Sequence, residues 1–290
     1  MDDVLRFLVC PYCRAPLARE GASLRCPDGH VFDIARQGYV NLQAAGDSGA
    51  TGDTGAMVAA RADFLAGGHF DQVATGLALA ASDAESAVAD GAVAGGPGGQ
   101  ACVIDAGAGT GFYLAAVLDG LPDRAGLALD ASKFALRRAA RAHPRIGAVA
   151  CDVWRGLPVA DGAAGVLLNV FAPRNGPEFH RVLAPGGRLL VATPTAEHLQ
   201  ELIVALGLLT VDGQKQERLS RTLGDRFDQA SEQHIAGLAP MSHADVLAAV
   251  QMGPSAWQAD PAQLRSRIAT LPDPLPVTVS VTLSGYARRH

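Results

Sequence analysis

Short apolar runs alternate with helix-like segments from residue 101 to the end of the chain. Apolar runs of roughly four to eight residues bounded by Gly, Pro and Asp predict buried strands, and the longer segments between them predict helices. In the last run Val277, Val279 and Val281 occupy alternate positions, which predicts a final antiparallel strand. The pattern therefore predicts an α/β fold with a seven-stranded sheet, whose strands lie at 101–105, 126–130, 146–151, 164–171, 188–193, 229–239 and 276–286.

The first of these strands is followed by glycines at alternate positions, Gly107, Gly109 and Gly111, and then by a helix-like run. Glycine is favoured where the backbone has a positive φ or lies against a ligand. The spacing G-x-G-x-G differs from the dinucleotide pattern G-x-G-x-x-G, and the Gly-Lys-Ser/Thr of a phosphate-binding loop is absent from this turn. Acids end this strand and the next, Asp105 and Asp130, and the Asp130 side chain suits a ribose diol.

Acids rather than bases around a glycine-rich turn favour a cationic cofactor with a free amino group, such as S-adenosylmethionine (SAM). The turn, with its two acids, resembles that of the class I SAM-dependent methyltransferases, which have a Rossmann-like sheet. A βα turn that binds no nucleotide and a dinucleotide-binding fold are the alternatives.

Four residues near the N-terminus have the spacing of a zinc site: Cys10, Cys13, Cys26 and His30. A Cys₃His set is a common closed tetrahedral shell for Zn²⁺, and a closed shell leaves no position for a substrate. We therefore expect a structural zinc ion that stabilises a module too small to fold on a hydrophobic core alone. A redox pair at Cys10 and Cys13, or four unrelated residues, are the alternatives.

The composition limits the possible partners and compartment. The chain has 290 residues, 49% of them hydrophobic, a net charge of −5 and a pI of about 5.9. These values predict a globular protein without a general attraction to nucleic acid, so any RNA contact must come from a local basic patch. The acidic start lacks the apolar core of a signal peptide, and no apolar run is long enough to span a membrane. With five cysteines, three of them clustered in the N-terminal motif, we expect a cytoplasmic protein.

Between His30 and Leu42 the chain reads His-Val-Phe-Asp-Ile-Ala-Arg-Gln-Gly-Tyr-Val-Asn-Leu. Together with the Cys₃His motif and the glycine turn, this stretch resembles the 23S ribosomal RNA (guanine-N1)-methyltransferases over essentially the whole chain. The resemblance implies methylation of a guanine in a hairpin that lines the ribosomal exit tunnel. Some members of that family confer resistance to macrolides such as tylosin, and relatives pair as homodimers. A small-molecule methyltransferase of the same architecture, or a non-enzymatic protein that binds SAM or zinc, are the alternatives.

The resemblance also implies roles for individual residues. Phe70 is expected on the SAM site rather than only in helix packing, Asp152 at the adenine amino group, and His198 at the cofactor rather than as a helix cap. The expected cofactor-binding residues are Phe70, Asp105, Gly107, Gly109, Thr110, Gly111, Asp130, Asp152 and His198. At the end of the fourth strand and just after it, Asn169, Phe171 and Arg174 are candidates for the acceptor site, with strand-end packing as the alternative. No residue is identified as the general base.

These expectations divide the chain into three parts. Residues 1–45 form a zinc-binding module that recognises RNA, residues 46–100 form a linker with helices, and residues 101–290 form the SAM-dependent methyltransferase domain. Within the middle part we expect a helix at 57–65, a second helix from Asp71 to about Ser82, and an Ala/Gly/Pro-rich linker at 84–100.

Overall fold

The computed structural model describes residues 1–44, 53–90, 101–208, 223–253 and 260–289. Within the second range, nothing is described of the side chains of residues 86–90. The linker predicted at 84–100 therefore falls largely outside the described residues. In the described ranges, no helix combines the length and apolarity needed to cross a bilayer.

The N-terminal part contains a short helix and a small antiparallel sheet. Helix α1 spans Asp2–Leu5, and three strands pair in the order β1-β2-β3. They are β1 (Ala18–Glu20), β2 (Ser23–Arg25) and β3 (Val31–Asp33). We call residues 8–44, which contain these strands and the Cys₃His motif, the zinc ribbon.

In the described residues the main sheet has eight strands, one more than the pattern predicts. They are β4 (Tyr39–Asn41), β5 (Cys102–Ala106), β6 (Gly126–Asp130), β7 (Ile146–Ala150), β8 (Ala164–Val170), β9 (Leu183–Pro194), β10 (Phe227–Met241) and β11 (Leu275–Arg288). Their order in the sheet is β10-β11-β9-β8-β5-β6-β7-β4. The additional strand is β4, which lies near the end of the zinc ribbon and pairs in parallel with β7 at the edge of the sheet.

Strands β4 to β9 are mutually parallel where they pair, and β11 runs antiparallel between β9 and β10. This arrangement confirms the predicted class I α/β fold. The central strands β5, β7 and β8 are buried along their whole length, as expected for a parallel sheet covered on both faces. Strand β9 begins earlier than predicted, because Leu183 already pairs with Ala164 of β8.

Helices cover both faces of the sheet. They are α2 (Gly55–Ala66), α3 (Asp71–Asp90), α4 (Phe112–Gly120), α5 (Lys133–Ala142), α6 (Gly176–Val182), α7 (Gln200–Leu206), α8 (His243–Gln251) and α9 (Pro261–Ile268). Helix α3 continues to Asp90, well beyond the predicted end near Ser82, so the first part of the expected linker is helical.

The zinc ribbon and the sheet share one hydrophobic core. Phe7, Leu24 and Leu42 from the N-terminal part are buried in the same cluster as Ile104 of β5 and Leu127 of β6. The approach of α1 is close: a Cβ built on Gly147 of β7 would lie 2.2 Å from a Val4 methyl carbon. The N-terminal residues therefore pack directly against strands β5, β6 and β7 of the main sheet.

Candidate functional site

The glycine turn between β5 and α4 has the backbone that its sequence predicts. Gly107, Gly109 and Gly111 all have positive φ, at 86°, 54° and 80°. At Gly107 a Cβ would also lie 2.4 Å from the Cβ of Ala172, which follows β8. A side chain at this position would therefore meet both backbone strain and a steric clash.

Asp130, at the end of β6, fixes the turn. Its carboxylate accepts a hydrogen bond from the amide of Gly109 at 2.8 Å and another from the amide of Ser132 at 2.8 Å. Burial raises the pKa of Asp130, while these two amide donors act in the opposite direction. Each carboxylate oxygen carries one of these bonds, so a further acceptor lone pair on each remains for a ribose hydroxyl.

Asp105, at the end of β5, has a different environment. It is 1% exposed, and in the described part of the protein neither carboxyl oxygen has a hydrogen-bond partner. Burial, and secondarily the charge of Asp130, raise the pKa of Asp105 to about 8. At neutral pH this carboxyl is therefore largely protonated in the unliganded protein.

A cavity of about 700 Å³ opens above the glycine turn. Such a volume lies in the range of small-molecule sites. Eight of the predicted cofactor and acceptor residues line it: Phe70, Gly107, Gly109, Thr110, Asp130, Asp152, Phe171 and His198. The glycine turn, the acids and the size of the cavity all fit SAM. Asp105, Gly111, Asn169 and Arg174 are not among the lining residues.

The structure gives Asn169 and Arg174 surroundings outside the cavity. Asn169 is fully buried, and its amide donates to the carbonyls of Ala106 at 3.0 Å and Pro173 at 2.8 Å, which ties the end of β8 to β5 and to the following loop. Burial lowers the pKa of Arg174, whose electrostatic neighbour is Tyr286 of β11. Of the three acceptor candidates, Phe171 is the one that the structure brings to the cavity.

Phe171 belongs to an aromatic cluster on the cavity wall. Its ring stacks on His198, with centroids 5.7 Å apart and planes inclined by 28°, and lies 5.9 Å from Phe70 and 6.3 Å from Tyr113. The backbone of Phe171 has φ 53°, and the residue is 37% exposed. A large exposed side chain on a strained backbone is uncommon away from functional sites.

His198 is buried in the same cluster and its ring orientation is fixed. Its Nδ1 accepts a hydrogen bond from the backbone amide of Ser280 at 3.2 Å. Because a backbone N–H can only donate, the neutral ring carries its proton on Nε2. In this tautomer the Nε2 atom is a donor and cannot take up a proton.

Sequence reasoning missed two charged residues of the cavity wall, Asp53 and Arg61. Asp53 and Arg61 form an ion pair at the cavity wall, and Arg61 also donates to the carbonyl of Met252 at 2.8 Å. The hydroxyl of Ser132 donates to the carbonyl of Asp53 at 2.8 Å. No local motif marks either residue, and the contacts with Met252 and Ser132 that hold them at the cavity join positions distant in sequence.

The predicted zinc ligands are brought together as one group. The four ligand atoms of Cys10, Cys13, Cys26 and His30 all lie within 4.8 Å of one another. His30 Nδ1 is 3.5 Å from the sulfur of Cys10 and 3.3 Å from that of Cys26, and the sulfurs of Cys13 and Cys26 are 3.6 Å apart. A tetrahedral Zn²⁺ with bonds of about 2.0–2.3 Å requires edges of about 3.5–3.8 Å, so these residues fit a closed zinc shell.

Arg14, next to Cys13, anchors the zinc ribbon to the sheet domain. Its guanidinium donates to the carbonyls of Leu157 at 3.0 Å and Val159 at 3.1 Å. Arg14 also lines a cleft of about 570 Å³ between the ribbon and residues 151–161. Cys151 and Asp152 line both this cleft and the cofactor cavity, so the two spaces share a wall.

Comparisons with known proteins agree with this geometry. Residues 8–45 match the family described as "RlmA, N-terminal", a zinc ribbon. A Streptomyces fradiae protein named 23S rRNA (guanine(748)-N(1))-methyltransferase is 48% identical, over 97% of this chain and 97% of its own. A Micromonospora griseorubida protein described provisionally as a 23S rRNA (guanine-N1)-methyltransferase is 53% identical, over 98% of both chains. A Bacillus subtilis protein with the same provisional description is 33% identical over 67% of this chain and 66% of its own.

Proposed function

The chain belongs to the family of 23S rRNA (guanine-N1)-methyltransferases, and we propose that it transfers the methyl group of SAM to N1 of a guanine in a hairpin of 23S rRNA. The observation that carries the proposal for the acceptor site is the exposed, strained Phe171 on the cavity wall. An aromatic face at this position suits stacking of a base that has left its helix. The stacked His198 behind it holds the Phe171 ring in place.

The chain's residues prepare the cavity for an in-line transfer. SAM, when bound, supplies a methyl group on a sulfonium centre. In this proposal Asp130 and Asp152 bind the ribose and the adenine, and the aromatic cluster forms the wall at the end near Phe171. Holding the two reacting atoms close and aligned contributes on the order of 7–11 kcal/mol to such reactions.

Guanine N1 carries a proton that must be removed during or after transfer. His198 does not accept it in the tautomer fixed by Ser280, and in this proposal water is the proton acceptor.

Recognition of RNA belongs, in this proposal, to the zinc ribbon and to the cleft beside it. The cleft joins the ribbon to the cofactor cavity through Asp152, and Arg155 on its wall has a side chain that is 62% exposed. Reversing this charge with Arg155→Glu should weaken RNA binding. The same reversal at the exposed Arg265 of α9 is the matched control. Equal effects of the two variants on RNA affinity would argue against the cleft.

Transfer of label from tritiated SAM tests the function as a whole. We expect labelling of unmodified 23S rRNA and of its exit-tunnel hairpin as a short transcript, and none when the target guanine of the transcript is replaced by adenine. The absence of any transfer to RNA would instead support a small-molecule methyltransferase. We also propose that the enzyme acts as a homodimer, which a measurement of its molecular size in solution tests. Cells that carry the enzyme should be less susceptible to macrolides such as tylosin, which growth assays test.

A further inference from the structure

Arg61 of α2 lies directly over the glycine turn. A Cβ built on Gly109 would be 3.7 Å from Arg61 Nη1 and 3.8 Å from its Cδ. The side chain is 26% exposed and is held on two sides, by the ion pair with Asp53 and by the carbonyl of Met252. The guanidinium is therefore fixed against the turn rather than free in solvent.

The charges around the cavity are unequal. Among the described residues that line it, three are carboxylates, Asp53, Asp130 and Asp152, and Arg61 is the one permanent cation. SAM has two positive groups, the sulfonium and the ammonium, and one negative group, the carboxylate of its methionine moiety. The three acids suit the polar and positive parts of the cofactor, and the carboxylate needs a donor of opposite charge.

The backbone of the turn does not supply that donor at four of its positions. The amides of residues 107 and 108 donate to the carbonyl of Leu129, that of residue 109 to Asp130, and that of residue 111 to the carbonyl of Ala108. These four donors are already engaged. A carboxylate bound over these four positions therefore needs another donor, and the guanidinium of Arg61 lies beside Gly109 with further N–H groups.

We propose that Arg61 binds the methionine carboxylate of SAM, with Asp53 and Met252 holding its guanidinium over the glycine turn. The ion pair with Asp53 keeps Arg61 oriented before the cofactor arrives. Because the planar guanidinium presents five N–H donors, it can bind a second carboxylate without releasing the first. This inference rests on the proposed SAM-dependent function. It adds Arg61 to the cofactor-binding residues, with the methionine carboxylate as its ligand.

The inference is tested by calorimetric measurement of the affinities of the zinc-loaded protein for SAM and for decarboxylated SAM, which lacks only the carboxylate. Arg61→Met should weaken the binding of SAM by about 10- to 100-fold, the range for a lost hydrogen bond to a charged group. Binding of decarboxylated SAM should change by less than about threefold, since the lost partner is absent from that ligand. Unchanged binding of decarboxylated SAM also shows that the variant is folded.

The control is Arg137→Met, which removes the same charge from α5 at a residue outside the cavity lining. It should leave both affinities unchanged. If Arg61→Met lowers the affinities for SAM and for decarboxylated SAM equally, the inference is overturned. An unchanged affinity for SAM would also overturn it, and this is the result expected if the first turn of α4 binds the carboxylate. If Arg61→Met does not fold, the ratio of the two affinities in Arg61→Gln decides: a reduced ratio supports the inference and a wild-type ratio refutes it. Wild-type protein that binds neither ligand would refute the proposed function itself.

Discussion

Replacing Asp105 by Asn should stabilise the unliganded protein, and increasingly so as the pH rises. Asp105 is buried without a hydrogen-bond partner in the described part of the chain, and its pKa is raised from 3.8 to about 8. Between about pH 4 and pH 8 the unfolded chain has lost this proton and the folded protein keeps it. Because the folded state binds one proton more in this window, the stability of the wild type falls as the pH rises through it.

The magnitude follows from the two pKa values. Each unit between them is worth about 1.4 kcal/mol, so the change from 3.8 to about 8 costs the fully ionised wild type about 6 kcal/mol. At pH 8, where about half of the folded molecules have lost the proton, the cost is about 5 kcal/mol. Asn has nearly the same shape and no charge, and it avoids this cost. The gain in the free energy of unfolding from Asp105→Asn should therefore be larger at pH 8 than at pH 5 by about 4 kcal/mol.

Urea unfolding of the zinc-loaded protein at several pH values, followed by circular dichroism, measures this difference. Asp123→Asn is the matched control, because Asp123 is exposed and its replacement should give no such pH-dependent gain. A gain for Asp105→Asn that is the same at pH 5 and pH 8 would refute the reasoning, since it would mean that the buried carboxyl titrates alike in the folded and unfolded states.

Three further predictions concern the turn, the acceptor wall and the metal. Gly107→Ala should weaken the calorimetric affinity for SAM at least about tenfold, since it adds about 1–2 kcal/mol of backbone strain and a clash with Ala172. The control is Gly162→Ala, where φ is 63° and no atom lies closer than 3.8 Å to the added Cβ. It adds strain without a clash and should leave the affinity for SAM unchanged. Phe171→Ala should raise the activation barrier of rRNA methylation by about 1–3 kcal/mol, the energy of one lost stacking contact, while the affinity for SAM is kept. Phe171→Tyr should methylate rRNA at close to the wild-type rate. An equal loss of methylation rate in the two variants would exclude stacking. Chelation of one zinc per chain should abolish rRNA binding and lower the melting temperature, and metal analysis that finds no zinc would contradict the ribbon's assignment.

The sequence was sufficient to predict features that depend on residues close together along the chain. The buried strands appear in it as short apolar runs. The turn after β5 needs glycine, because its positive φ angles are unfavourable for other residues. The spacing of Cys10, Cys13, Cys26 and His30 likewise reflects the size of a metal shell, and the structure brings these four residues together.

The remaining features depend on contacts that are distant in sequence. Strand β4 has three residues, too few to show a period, and its place beside β7 follows from packing of the zinc ribbon. Arg61 reaches the cavity wall through a contact with Met252, 191 residues further along the chain. Its position near the end of a strand did not show that the Asn169 side chain bonds to backbone carbonyls inside the protein, because the direction of that side chain depends on the register of β8 with β5.

We propose that this cavity delivers a methyl group to N1 of one guanine in 23S rRNA. Digestion of rRNA methylated in vitro, followed by mass spectrometry of the nucleosides and by primer extension, identifies both the atom and the position. We expect 1-methylguanosine, with a primer-extension stop at a single guanine of the exit-tunnel hairpin. Methylation of another atom, or 1-methylguanosine spread over many positions, would contradict it.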